Sequence, residues 1–410
     1  MSDFHQNGVV TVLHRLGTSN LDRLEKELER HASNNPIALV LPSLYSELEN
    51  PALKNIVHVL KDIRYVNEIV VSLDRASALE FRFAKQFFSV LPQRVRIVWN
   101  DGTGVQDILK LLSASEIDTG LPGKGRGCWM AFGYVLARGQ SNVIALHDCD
   151  ILSYNREYLA RLCYPIVHPN LAYEFCKGYY SRVTDRLHGR VTRLYLTPLI
   201  RSLQQVFGNH ALLTFLDSFR YPLAGEVAMV RDLAWINRIP GDWGLEVGVL
   251  SEVYRNCALR RICQADIADA YEHKHQILSP DNADQGLLKM CVDITKSLFR
   301  NLASEGMVLS EAGLKALRAA YLQTAQDAIN RYENDAAINS LKFDRHEERS
   351  AVEVFLKGMK LATETFTEDP LGVPMISNWS RVTGAIPDIF DRLTDAVERD
   401  HEWDPVECRK

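Results

Sequence analysis

Asn142-Val143-Ile144-Ala145-Leu146-His147-Asp148-Cys149-Asp150-Ile151 is the stretch on which the fold turns. Its apolar run reads as a buried strand, and the strand ends in two carboxylates spaced one residue apart. An open α/β sheet binds ligands outside the carboxyl ends of its strands, so Asp148 and Asp150 stand where a ligand is expected. Two hard oxygen ligands suit a divalent cation such as magnesium or manganese, which in turn neutralises a diphosphate. A nucleotide-sugar site is the first expectation. A helix-capping turn is one alternative. A haloacid-dehalogenase nucleophile strand is another, but it wants Thr or Val two residues after the second Asp, and here Ile151 and Leu152 follow.

Upstream of this strand the pattern alternates. Residues 37–41, ended by Pro42, residues 68–73 and residues 95–99 read as strands. Helical stretches fall around 56–60, 78–91 and 129–138. This alternation implies an α/β fold with a mostly parallel central sheet flanked by helices on both faces. Residues 1–35 form an N-terminal helical extension, its leucines at helical spacing over 21–28 and Thr18, Ser19 and Asn20 offering caps. A mixed region runs to about residue 290. Beyond it the chain turns helical. Leu314, Leu317, Tyr321, Ala325, Ala328 and Tyr332 mark one amphipathic stretch, and Val382, Ile386, Ile389, Phe390, Leu393 and Val397 mark another. Residues 365–380 between them are loop-like.

Bulk composition excludes several classes. At 410 residues, with 46% apolar and 24% charged residues, the chain is long enough for two or three domains of an ordinary globular protein. A net charge of −5 gives no sign of a nucleic-acid partner. No window approaches the ~18 unbroken apolar residues of a membrane span. The eight cysteines include no Cys-x-x-Cys pair, so no zinc ribbon is indicated, and a reduced, cytoplasmic setting is expected.

Other segments carry candidate chemistry. Pro42-Ser43-Leu44-Tyr45-Ser46-Glu47 follows the first strand and reads either as a nucleotide-holding loop or as a capped turn. Asp74, after the second strand, is either a helix cap or a ribose or base contact. Leu121-Pro122-Gly123-Lys124-Gly125-Arg126-Gly127 places three glycines at alternate positions around a lysine, ahead of a helix whose dipole favours an anion. No Ser or Thr follows Lys124, so this is not a Walker A loop. His188-Gly189-Arg190-Val191-Thr192-Arg193 could hold a phosphate or carboxylate, or be a polar turn before a helix over 194–207. Two small-residue turns carry Glu226 and Glu246. Glu272-His273-Lys274-His275-Gln276 sets two imidazoles at alternate positions, facing the same way if extended.

In this order the motifs resemble the glucosyl-3-phosphoglycerate synthase family, retaining GT-A glycosyltransferases related to the mannosyl-3-phosphoglycerate synthases. The resemblance covers roughly residues 37–290. It is carried most specifically by Gly189-Arg190-Val191-Thr192, Pro198-Leu199 and Leu223-Ala224-Gly225-Glu226. It implies a GT-A domain over 36–290, with a nucleotide-binding half (36–152) and an acceptor-binding half (153–290). Residues 291–410 would add a helical region that is the candidate dimerisation element of a homodimer.

The resemblance also implies roles. Pro42, Ser43, Leu44 and Glu47 would hold the nucleotide, with Leu73 or Asp74 near the base and Gly123 and Lys124 at the diphosphate. Asp148 and Cys149 would lie along the nucleotide sugar. Asp150 and His273 would ligate Mg²⁺ or Mn²⁺. Gly189, Arg190, Val191 and Thr192 would hold 3-phosphoglycerate, with His275 near the acceptor and Gln276 near the diphosphate. Leu223 and Glu246 would face the transferred glucose. Tyr45-Ser46, Ser72-Leu73-Asp74, His275 and Gln276 depart from the family pattern, which leaves the nucleotide and the acceptor more open than the fold. The implied reaction moves glucose from an NDP-glucose to the 2-hydroxyl of 3-phosphoglycerate with retention. GDP-mannose as donor, glycerate as acceptor, a dehalogenase-type phosphatase and a non-catalytic sugar-nucleotide binder are the alternatives.

Overall fold

Strand formation follows the β-branched and apolar runs. The computed structural model describes residues 6, 8–17, 20–268, 286–372 and 375–402. Among them lie eight strands: β1 (Thr11–Leu13), β2 (Ile37–Leu44), β3 (Val66–Asp74), β4 (Arg94–Trp99), β5 (Val143–Leu146), β6 (Phe175–Tyr180), β7 (Val227–Val230) and β8 (Ile262–Ala268). They form one sheet in the order β1-β8-β6-β7-β5-β2-β3-β4. Only β7 runs antiparallel to its neighbours, β5 and β6. The expected mostly parallel α/β sheet is therefore present.

The order explains where a ligand can sit. From β2 the chain moves outward through β3 and β4, then returns to lay β5 on the other side of β2. That reversal opens a crevice at the carboxyl ends of β2 and β5. Pairing of these two strands stops at Val40↔Leu146, whereas β2 continues beside β3 as far as Leu44↔Asp74. Pro42 therefore does not end the strand, as its missing N–H suggested. It lies past the last β5 pairing, where the ladder has a neighbour on one side alone.

Alternate residues of each strand feed opposite faces. Ala38, Val40, Ile144 and Leu146 enter one apolar cluster, and Ile37, Leu39, Val143 and Ala145 enter the other. The helices beyond residue 286 contribute Leu317, Tyr321, Phe355, Trp379 and Val397 to the first cluster. Trp379 stacks on Trp129 with ring centroids 4.3 Å apart, and the two indoles donate to backbone carbonyls of Trp129 and Ser377.

Four boundaries differ from expectation. The N-terminal extension is more than a docked helix, because β1 adds an edge strand to β8 ahead of the helix Leu21–Ala32. The helix expected from residue 129 begins at Lys124. The helix Arg345–Glu368 runs into the segment read as a loop, where Phe366 packs edge-on against Phe299. The last amphipathic stretch is two helices, Trp379–Ala385 and Ile389–Glu402, divided near Pro387. Among the described residues no helix is long and apolar enough to cross a membrane.

Candidate active site

The glycines around Lys124 permit close packing rather than a mobile loop. Gly123 caps the helix Lys124–Arg138, so Lys124 to Gly127 form its first turn. A Cβ on Gly125 would lie 2.0 Å from the Pro240 carbonyl oxygen, and one on Gly127 would lie 2.7 Å from Ser72 Oγ and 2.8 Å from Asp74 Oδ2. The helix start is thereby pressed against the carboxyl end of β3 and the Pro240 turn, which aims Lys124 at the crevice.

Lys124 Nζ lies 2.6 Å from Asp148 Oδ1 and 3.3 Å from Glu246 Oε1. Burial alone would push its pKa down, but Asp148 and Glu246 outweigh that and hold the ammonium well above its ordinary range. Asp148 leaves the end of β5 beside Gly225, where a Cβ would meet Asp148 Oδ2 at 2.7 Å. Glu246 stands in the first turn of the helix Leu245–Asn256. His147 is structural: its ring nitrogens meet Asp148 O at 2.9 Å and Tyr154 OH at 3.1 Å, and burial pushes its pKa down to about 4.

These side chains line a cleft of ≈ 440 Å³ that also reaches Gly189, Arg190, Val191, Thr192 and Leu223. Thr192 is 5% exposed, and its Oγ1 is buried without a hydrogen bond. Residues 189–192 owe their shape to Gly189, at φ 72°, followed by a π-helical turn over Val191–Leu196. The expected anion-binding side chain of Arg190 is already engaged, with Nε 2.7 Å from Glu348 Oε1 and Nη2 2.7 Å from Glu347 Oε2.

Comparison with known proteins decides the family. No family model matches the chain. A glucosyl-3-phosphoglycerate synthase of Persephonella marina is 49% identical over 404 residues, which is 98% of this chain and 100% of the relative. The chain belongs to the glucosyl-3-phosphoglycerate synthase family. A second member, from Methanococcoides burtonii, is 38% identical over 97% of this chain and 98% of its own length. The fold is shared with the crystal structure of glucosyl-3-phosphoglycerate synthase from Mycobacterium tuberculosis in complex with Mn²⁺, UDP-glucose and phosphoglyceric acid. That likeness has a TM-score of 0.51 at 21% identity and covers 73% of this chain and 89% of that one.

Not all residues implied by the family motifs share the cleft. Pro42, Ser43, Leu44 and Glu47 lie along the end of β2 and the turn after it. Ser43 is buried and donates to Leu44 O at 3.0 Å. Leu73 and Cys149 point into the apolar core, so a nucleotide could meet them through backbone alone. Asp74 ends β3, where burial, reinforced by Asp101, pushes its carboxyl up to about 6. His273, His275 and Gln276 fall outside the described residues.

The Mycobacterium tuberculosis structure contains Mn²⁺. Magnesium and manganese take carboxylate oxygens, and magnesium is commonly held by one or two carboxylates completed by substrate phosphates. Asp150 is half-buried in the turn after β5, while Asp148 is held by Lys124. Among the described residues no group of three His, Cys, Asp or Glu side chains forms a metal cluster.

Several residues in and behind the cleft were not anticipated. Lys177, on β6, is 1% exposed and donates to Ala224 O at 2.6 Å, fixing the turn that carries Leu223. Burial pushes its pKa down to about 8, opposed by Glu246 and Glu226. Arg182 Nη1 donates to Tyr221 OH at 3.1 Å on the cleft wall, and Trp243 and Glu347 also line the cleft. A lysine inside an apolar run was the available signal for Lys177. Nothing local marked Glu347.

Proposed function

We propose that this family member is a metal-dependent retaining glucosyltransferase. It moves glucose from an NDP-glucose, UDP- or GDP-linked, to the 2-hydroxyl of 3-phosphoglycerate, giving glucosyl-3-phosphoglycerate. The reading is carried by one cleft that joins the Lys124–Asp148–Glu246 cluster to the acceptor motif 189–192. The relatives' names agree with it.

In this reading the diphosphate lies at the start of the helix Lys124–Arg138, where Lys124 and the helix dipole stabilise negative charge. Asp150 and His273 would hold Mg²⁺ or Mn²⁺, which supplies Lewis-acid neutralisation of that diphosphate. Asp148 and Glu246 are both paired with Lys124, a poor state for a covalent nucleophile. Attack from the donor's front face is therefore favoured, with the departing phosphate oxygen taking the acceptor hydroxyl's proton. The 223–225 turn, held by Lys177, presents its backbone to the sugar. Thr192 Oγ1 and Arg190 orient the anionic acceptor, and holding both substrates in register supplies rate through proximity.

A homodimer joined through the C-terminal helices, a division of labour at about residue 290 and a cytoplasmic setting belong to the same proposal. The seven described cysteines, all free, accord with a reducing compartment.

The deciding experiment incubates the protein with UDP-glucose, GDP-glucose or GDP-mannose, 3-phosphoglycerate or glycerate, and Mg²⁺ or Mn²⁺. NDP release and product mass are followed. A phosphorylated glucosyl product supports the reading. Hydrolysis of phosphoglycerate without nucleotide, or transfer of mannose alone, would replace it.

A further inference from the structure

Adjacent glutamates of the C-terminal region meet the acceptor segment in different ways. Asp344 caps the helix Arg345–Glu368 by accepting from the amides of His346 and Glu347 at 2.8 and 3.0 Å. Glu347 and Glu348 therefore both lie in the first turn. The Glu348 side chain is 5% exposed and the Glu347 side chain 52%. Glu348 receives Arg190 Nε at 2.7 Å and Arg193 Nη2 at 3.0 Å. Arg193 is steadied further by donating to His188 O at 2.7 Å and by lying over the Tyr332 ring. Glu347 receives Arg190 Nη2 at 2.7 Å and lines the cleft.

A guanidinium grips carboxylate or phosphate best through two N–H groups on one edge. With Nε on Glu348, the edge left for a ligand is Nη1–Nη2, and Glu347 holds one end of it. An exposed ion pair is worth little and exchanges readily with water. A buried one, once broken, leaves an uncompensated charge. An anion arriving at Arg190 would thus displace Glu347 and leave Glu348 in place.

We propose that Glu347 is a displaceable stand-in for the acceptor's anionic group on Arg190, and that Glu348 is the positioning residue that holds Arg190 and Arg193 ready for it. This rests on the phosphorylated acceptor proposed above. Glu347 holds Arg190 at the cleft. A neutral acceptor gains nothing from displacing it, so the exchange favours anionic substrates.

Initial rates of the full chain, with 3-phosphoglycerate varied at saturating donor, test this. Glu347→Gln is expected to lower the acceptor KM about threefold to tenfold, the range of an exposed pair, while the donor KM stays in place. Glu348→Gln is expected to raise the acceptor KM about tenfold or more. Adding Arg190→Ala to Glu347→Gln should cancel the gain. With an active wild type, an unchanged or raised acceptor KM in Glu347→Gln overturns the proposal, and because Glu347 is exposed this arm does not depend on how Glu348→Gln folds. A wild type that turns over no donor with 3-phosphoglycerate removes the functional reading instead. Calorimetric binding of 3-phosphoglycerate to wild type and Glu347→Gln then decides the stand-in role, tighter binding to the variant upholding it and equal or weaker binding overturning it.

Discussion

Lys124 Nζ lies 2.6 Å from Asp148 Oδ1, so one ion pair ties the start of a helix to the end of the central strand β5. The helix dipole and the ammonium reinforce each other there, and the crevice gains a fixed positive end for a leaving diphosphate. Lys124→Ala should lower kcat about a hundredfold or more, the scale of a lost preorganised donor at developing charge. Lys124→Arg should recover only part, because a planar fork cannot replace a point charge wedged between two carboxylates. Steady-state rates for both variants check this, and near-normal kcat in Lys124→Ala would remove Lys124 from the mechanism.

The packing of that helix start is a separate claim. Gly125→Ala would place a methyl 2.0 Å from the Pro240 carbonyl oxygen. The helix must shift, costing about 1–3 kcal/mol and carrying Lys124 with it. Urea unfolding and turnover should both suffer. A variant as stable and active as the wild type would mean that the approach to Pro240 is unimportant.

Stability should also depend on pH through Asp74. Burial and Asp101 raise its carboxyl from 3.8 to about 6 in the fold. A raised carboxyl favours folding while protonated, so this contribution is fully present below pH 3.8 and is lost as pH rises through 6. The cost at neutral pH is about 2 kcal/mol, allowing for partial exposure. Asp74→Asn, neutral throughout, should gain stability relative to the wild type between pH 4 and pH 8. Thermal melts across that range decide it, a constant difference being the contrary result.

Cation dependence gives a further check. Chelation should abolish transfer and added Mg²⁺ or Mn²⁺ should restore it. Asp150→Ala and His273→Ala should each eliminate the metal-dependent rate. Full activity in either variant would show that the cation, if used, is held elsewhere.

The sheet was legible because its strands are short apolar runs separated by amphipathic helices, and residues 37–41, 68–73 and 95–99 all lie in strands. The early start of the helix at Lys124 was not, because three glycines in five residues argue against helix until their neighbours are known. Pro42 misled for a similar reason, since only the place where β5 stops pairing makes it harmless. Within the site, Asp148, Glu246 and Thr192 were legible from motif and position. Lys177 had one signal, its place in an apolar run, which runs against the rule that lysines face solvent. The hold of Glu347 and Glu348 on Arg190 spans more than 150 residues of sequence, and no local pattern encodes it.

In the proposed reaction residues 189–192 receive the acceptor in the cleft where Lys124 receives the diphosphate. Initial rates of wild type and Arg190→Ala against 3-phosphoglycerate, and then against the donor, test it most directly. The acceptor KM of Arg190→Ala should rise about tenfold or more, as when a charged grip on an anion is lost, with the donor KM little changed. An unchanged acceptor KM, or an equal rise for the donor, would contradict it.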